Sequence, residues 1–418
     1  MQKNKQGNER PTPKQFEFLS WEFGLFFHFG IRSCYPGHQD FDGKHMDLSS
    51  FNPRHLDCDA WAKAAVQAGT RYCVLTAKHH DGFALWPTAH SPYSVKNTPY
   101  QSGKGDVVAQ FVDACRANNL KVGIYYSPAQ WGAGPEFVPG TAYDDYFIAQ
   151  ITELLTNYGT IDYLWFDAEG SANHRYDKKR IIAAIRKLQK DILIFNLWDP
   201  DTLWAGNESG YTGLANFNVR KILNAEQLLV EDNESSGIYQ RFLPLECDTK
   251  IRSTWYDDDN VHTIKSLQEL MGMYENSVGR GANLLLNIGP DKQGRLPKPD
   301  AIRLQEFGAA IRHCYGKALA FAPKKDEDSF TLVADEALLV DRLVLQENII
   351  EGQHIQSFKI YAHMNEKNVL LIYQGQSIGH KHICAIPPIR AQKFTVVTQP
   401  PRAVQSIYSF SAHNTQAE

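Results

Sequence analysis

The sequence predicts an α/β protein: a (β/α)8, TIM-like barrel over residues 1–322, followed by a small C-terminal β-sandwich over residues 323–418. Three observations carry this reading. Strand-like apolar runs alternate strictly with amphipathic helical segments through the first half, which argues for a parallel sheet with right-handed crossovers. Polar clusters fall at the C-terminal ends of those runs, the end at which such barrels carry their sites. From Pro323 onward helical periodicity stops, and short strands divided by polar or Pro-containing turns take over. A doubly wound open sheet would want a Gly-rich phosphate turn after its first strand, and none is present.

Each element follows from local pattern. Residues 1–20 read as a lead-in. Gly24 to Gly30 is the first strand, an apolar run without alternation that suits burial on both faces. A polar loop from Arg32 to Pro53 follows. Asp59 then caps an amphipathic helix from Trp61 to Ala68, which Gly69 ends. Arg71 to Ala77 is the second strand, Asp106 opens a helix reaching about Asn118, and Val122 to Ser127 is the third strand. A helix from Tyr143 to Asn157 leads into the strand Leu164–Asp167, and a helix from Lys178 to Gln189 leads into the strand Ile192–Leu197. The second half is less regular, with strands near Leu228–Val230 and Arg241–Leu245, a helix from Thr263 to Ser277, the strand Asn283–Ile288 and a helix from Pro299 to Tyr315. The tail holds strand signals at Phe330–Val333, Ala337–Val340, Phe358–Tyr361, Val369–Tyr373, Ile383–Ile386 and Phe394–Thr398.

Composition narrows the partners. A formal charge of −4 gives no reason to expect nucleic acid or an anionic membrane surface. No run approaches the ~18 apolar residues of a membrane span, and the polar N-terminus lacks an apolar signal core. A cytoplasmic protein is the simplest expectation, with export the alternative if a leader has been removed; an oligomer is left open. Seven scattered cysteines without a Cys-x-x-Cys pair indicate neither a disulfide framework nor a zinc ribbon. The 22 Phe, 19 Tyr and 8 Trp suit a large core or a sugar site, because sugars present flat C–H faces beside their hydroxyls.

The stretch Ile161-Asp162-Tyr163-Leu164-Trp165-Phe166-Asp167-Ala168-Glu169-Gly170 reads as a buried strand ending in a carboxylate. A charge directly after four bulky apolar residues is costly unless it faces a cleft at the strand end. Asp167 is therefore a candidate site residue, the alternatives being an N-cap for the next helix or a partner for a nearby Arg. His79-His80-Asp81-Gly82-Phe83 ends another strand. Adjacent histidines point to opposite sides of a continued strand, a poor geometry for a metal. As neutral groups carrying both a donor and an acceptor nitrogen they suit vicinal hydroxyls better. Neither metal nor cofactor is expected.

These runs resemble one family. Lys78 to Pro87, Phe26-Phe27-His28-Phe29-Gly30, Gly123-Ile124-Tyr125-Tyr126-Ser127, Leu164-Trp165-Phe166-Asp167 and Asn283-Leu284-Leu285-Leu286-Asn287-Ile288-Gly289-Pro290 are similar, in order, to segments of the retaining α-L-fucosidases of glycoside hydrolase family 29. The tail segment Gly375 to Lys381 resembles the β-sandwich many of them carry. The resemblance implies that Asp167 is the nucleophile, that His28, His79, His80, Trp86, Tyr126 and Trp165 bind the sugar, and that the substrate is a fucosylated oligosaccharide or glycoconjugate. For the acid/base it offers Glu208, in Gly206-Asn207-Glu208, as the preferred residue, and Glu246, in Leu245-Glu246-Cys247-Asp248, as the alternative or as a cleft wall. Glu169 lies too near Asp167 in sequence to separate nucleophile and leaving-group sides. Many relatives carry a Glu-Trp pair in the loop after the first strand; Asp40 and Phe41 stand in that place here, which bears on whether fucose or L-galactose is preferred. Two other readings compete: a catalytically silent fucose-binding protein, which would want the nucleophile replaced, and a metal-dependent barrel hydrolase, which would want His-x-His on an early strand.

Overall fold

The computed structural model describes residues 9–38, 44, 46–130, 141–167, 174–222, 239–365 and 367–416. Helix α1 (Pro13–Trp21), opened by a capping box between Thr12 and Gln15, precedes strand β1 (Phe23–Phe27). Four strand–helix repeats follow: α2 (Cys58–Ala68) and β2 (Tyr72–Lys78), α3 (Val107–Ala117) and β3 (Lys121–Tyr126), α4 (Thr141–Asn157) and β4 (Tyr163–Phe166), α5 (Lys178–Leu188) and β5 (Leu193–Phe195). After the short strand β6 (Leu203–Trp204), β7 (Val219–Ile222) and β8 (Tyr239–Phe242) form a separate antiparallel pair. The barrel then resumes with β9 (Leu245–Lys250), α6 (Leu267–Ser277), β10 (Asn283–Asn287) and α7 (Lys298–Tyr315).

Eight parallel strands run in the order β5-β4-β3-β2-β1-β10-β9-β6. A bridge between Phe195 and Thr202 joins the two ends of that order, so the sheet closes on itself. Period-2 alternation sorts the side chains. Phe26, Tyr72, Tyr125, Tyr163, Trp165 and Phe195 fill the lumen, where Phe18 and Trp21 of α1 close the N-terminal mouth. Leu25, Phe27, Leu75, Leu164 and Phe166 face the helices instead. The lumen is tight: a Cβ on Gly24 would lie 2.4 Å from the Tyr72 ring, so only glycine leaves room for it.

Elements depart from the sequence reading where a polar contact outvotes the pattern. Helix α2 starts at Cys58 rather than Trp61 because Asp57, not Asp59, accepts the Ala60 N–H; Asp59 pairs with Lys63 and Asn118 instead. The strand expected over Arg241–Leu245 is two strands, β8 ending at Phe242 and β9 beginning at Leu245. The one expected near Leu228–Val230 lies outside the described residues.

The tail forms one continuous six-stranded antiparallel sheet. It comprises β11 (Ala322–Lys325), β12 (Phe330–Glu347), β13 (Ser357–His363), β14 (Val369–Gly375), β15 (His382–Gln399) and β16 (Ile407–His413). Strands β12 and β15 each join what the sequence presents as two strands, with register shifts near Val333–Leu338 and Val340–Arg342 in place of turns. Phe330, Leu343, Ile360, Phe394, Val396 and Ile407 make its own core. Val344 and Ile383 instead bury into the barrel core, and Lys381 pairs with Glu22 at 2.5 Å.

Candidate active site

Asp167 follows the last residue of β4, where the inward series Tyr163, Trp165, Asp167 reaches the C-terminal rim. Its carboxylate accepts a 2.9 Å hydrogen bond from Tyr125 Oη and lies 3.6 Å from His80 Nε2. Beneath it Trp165 is stacked between Phe195 and Tyr125, at centroid distances of 4.1 and 5.3 Å. The carboxylate thus sits above an aromatic floor that fixes its position.

Three histidines gather at the same rim. His28 Nδ1 lies 2.8 Å from Asn287 Oδ1, an oxygen that also takes the His28 backbone N–H. Asn287 Nδ2 donates to the Trp255 carbonyl, which leaves Oδ1 as acceptor and places the proton on His28 Nδ1. The His28 ring stacks on Trp255 at 4.6 Å. His79 stacks on Tyr125 at 5.3 Å, and its Nδ1 is buried without a hydrogen-bond partner. His80 Nδ1 is 2.6 Å from Ser127 Oγ. Burial pushes His28 down to about 3 and His79 well below the usual imidazole range; it also lowers His80, although Asp167 opposes the shift. All three are neutral groups at neutral pH, suited to hydroxyls. The expected divergence of His79 and His80 does not occur. Their rings lie 4.2 Å apart, because β2 ends at Lys78 and strand alternation no longer applies.

Several sequence-derived candidates fall elsewhere. Tyr126 faces the helices, with its hydroxyl on Gln150 and its ring against Phe147; alternation gives the inward place to Tyr125. Trp86 is 1% exposed and donates to Glu153 on α4, outside the barrel wall. Trp165 is in the lumen, where its indole N–H donates to Glu246 at 2.8 Å. Glu246 is not a cleft wall. It is fully buried below Trp165 and accepts from Tyr72 Oη at 2.6 Å and Tyr163 Oη at 3.3 Å, side chains that begin their strands. Burial pushes its carboxyl up to about 7, against the pull of those donors. Asp40, Phe41 and Glu169 lie outside the described residues.

Glu208 is on the rim, in the segment after β6, with 48% of its side chain exposed and Lys250 Nζ 2.5 Å from its carboxylate. The segment is sewn to β9 on both sides of Glu208: Ala205 N donates to Glu246 O at 2.9 Å, and Ser209 bridges to Thr249. On β9 itself Glu246, Asp248 and Lys250 occupy one face at period 2 and climb from the lumen floor to the rim. Asp248 accepts from Trp204 Nε1 at 2.7 Å, and burial pushes it up to about 8. Tyr125, Trp255, Asp248 and Lys250 were not singled out from the sequence. The alternation in Leu245-Glu246-Cys247-Asp248-Thr249-Lys250 was the available signal for the last two. Among the described residues no group of three or more His, Cys, Asp or Glu is placed to hold a metal ion.

Aromatic faces meet the C–H side of a sugar ring, neutral imidazoles meet its hydroxyls, and a rim carboxylate can reach its anomeric carbon. That division of labour defines a barrel glycoside hydrolase. The family model for alpha-L-fucosidases matches residues 35–314. Alpha-L-fucosidase 1 of Arabidopsis thaliana is 29% identical, over 89% of this chain and 81% of its own. Among solved structures, a glycoside hydrolase family 29 member from a rumen bacterium is 30% identical with a TM-score of 0.87, covering 99% of this chain and 78% of its own. A Ruminococcus gnavus family 29 fucosidase in complex with fucose, 22% identical, shares the fold at a TM-score of 0.83 over 99% of this chain and 97% of its own. The chain belongs to the alpha-L-fucosidase family, glycoside hydrolase family 29, and is a retaining exo-glycosidase that releases terminal α-L-fucosyl residues. Among the described residues no helix is long and apolar enough to cross a membrane.

Proposed function

We propose that Asp167 is the nucleophile and Glu208 the acid/base of this fucosidase. In the first step Asp167 Oδ bonds to the anomeric carbon while Glu208 gives its proton to the departing glycosidic oxygen. In the second, Glu208 takes a proton from water as that water's oxygen replaces Asp167 at the same carbon, so configuration is retained. Tyr125 orients the attacking carboxylate, and His28, His79 and His80 act as neutral partners for the fucose hydroxyls.

The observation that carries the choice between glutamates is exposure. Glu208 reaches solvent on the rim, whereas Glu246 is sealed beneath Trp165, with its oxygens already taken by two tyrosines and an indole. A group that must meet a leaving oxygen and then a water cannot work from there. The deciding experiment is chemical rescue. Glu208→Ala should still form the fucosyl-enzyme from an activated aryl fucoside, turn over slowly, and speed up with azide to give the α-fucosyl azide. Rescue with retained configuration in Glu246→Ala alone would exchange the roles. Seven free cysteines favour a reducing compartment, in keeping with a cytoplasmic enzyme acting on fucosylated oligosaccharides or glycoconjugates.

A further inference from the structure

Lys250 is the last residue of β9, and its ammonium links the two halves of the site. On one side it contacts the Glu208 carboxylate at 2.5 Å; on the other it lies 4.6 Å above the centre of the Trp255 ring, which itself stacks on His28. The side chain is only 18% exposed, and the Lys250 backbone carbonyl takes the Lys265 ammonium, so its strand end is anchored as well. The segment on either side of Glu208 is already tied to β9 by the Ala205–Glu246 hydrogen bond and the Ser209–Thr249 bridge. Holding the loop therefore does not require an ion pair. What the ammonium adds is a donor aimed at the carboxylate itself.

We propose that Lys250 is a positioning residue for proton transfer by Glu208, a role that rests on Glu208 being the acid/base. As Glu208 releases its proton to the leaving oxygen, negative charge grows on its carboxylate within hydrogen-bond reach of the Lys250 ammonium. A charge-assisted hydrogen bond strengthens as that charge develops, so it favours the transition state over the ground state. In the second step the same contact orients the carboxylate toward water. The cation–π contact with Trp255 holds the ammonium when Glu208 is uncharged, which keeps the donor in place throughout the cycle.

The consequence is a dependence on the leaving group. Departure of a basic alcohol needs the proton, and departure of an acidic phenol hardly does. Lys250→Met, which keeps the length of the stem over Trp255, should lower kcat/KM by roughly tenfold to a hundredfold on a fucosyl disaccharide and on aryl fucosides of weakly acidic phenols. On aryl fucosides of strongly acidic phenols kcat/KM should stay within about threefold of wild type. Lys250→Arg should recover most of the loss. A purely structural role would lower kcat/KM uniformly along the series, and that result would overturn the proposal. So would Lys250→Met lowering azide-rescued turnover in a Glu208→Ala background, where no carboxylate remains to position. Should Lys250→Met fold poorly, the series read with Lys250→Arg and Lys250→Gln decides between a graded and a uniform loss. The two readings fail separately. Absence of azide rescue in Glu208→Ala removes the acid/base assignment, whereas rescue there with a uniform loss in Lys250→Met removes only the role of Lys250.

Discussion

Tyr125 and Tyr126 are one position apart and do unrelated work. The first donates to Asp167 from inside the barrel, and the second donates to Gln150 outside it. Tyr125→Phe should lower kcat about tenfold to a hundredfold, the scale of one hydrogen bond to a charged group. Tyr126→Phe should leave steady-state kinetics near wild type and show itself only in thermal denaturation. Asp167→Asn should give a folded protein that has lost nearly all turnover, as removal of a covalent nucleophile demands; activity within tenfold of wild type would refute the assignment. Glu246 makes its own prediction through stability. Burial raises its carboxyl from 4.5 to about 7, so the folded state keeps a proton that the unfolded chain releases. Its contribution is fully present below pH 4.5 and is lost as pH rises through 7. The melting temperature of Glu246→Gln should accordingly fall less than that of wild type across this window. Asp167 was legible in the sequence as a strand-end carboxylate because a charge after a bulky apolar run has few tolerable places. Tyr125 was not, because two adjacent tyrosines look alike until the strand's phase is known.

At the scale of elements, β9 carries most of what the sequence concealed. Its charges at every second position do not by themselves say which way they face, since a strand facing solvent and one facing a polar lumen share the same pattern. Only closure of the barrel makes Glu246, Asp248 and Lys250 an inward column. The Glu208 segment depends on this strand through Gly210, whose φ is +76° and where a Cβ would lie 2.9 Å from Thr249 Cγ2. Gly210→Ala should therefore destabilise by about 1–2 kcal/mol, readable as a shift in the urea midpoint. It should also lower kcat/KM on poor leaving groups more than on activated ones, because displacing the segment misplaces Glu208.

At the scale of the molecule, barrel and tail meet through charge as well as packing. Burial alone would raise Glu22, but Lys381 and His380 outweigh it and bring its carboxyl down to about 2. A carboxylate depressed in this way contributes stability that is present above its unfolded value of 4.5 and is lost as pH falls through 2. Glu22→Gln should melt below wild type at pH 7, and the two should converge on acidification through that window. A 1–324 fragment should lose stability, because the faces covered by Val344 and Ile383 would open to water. It should keep activity on a small aryl fucoside if it stays folded; a folded but inactive fragment would mean that the tail supplies a group to the site.

Composition and periodicity by themselves determined the class of fold, the change of character near Pro323, and which apolar runs end in polar side chains. These are local matters, set by which side chains tolerate burial at a repeat of two or of 3.6. Tertiary structure alone decided which of two neighbouring tyrosines reaches Asp167, and that His79 and His80 converge. It also separated a glutamate at the rim from one sealed under an indole. Each of those depends on the phase of a strand within a closed barrel and on where the strand stops, and a linear pattern does not record either.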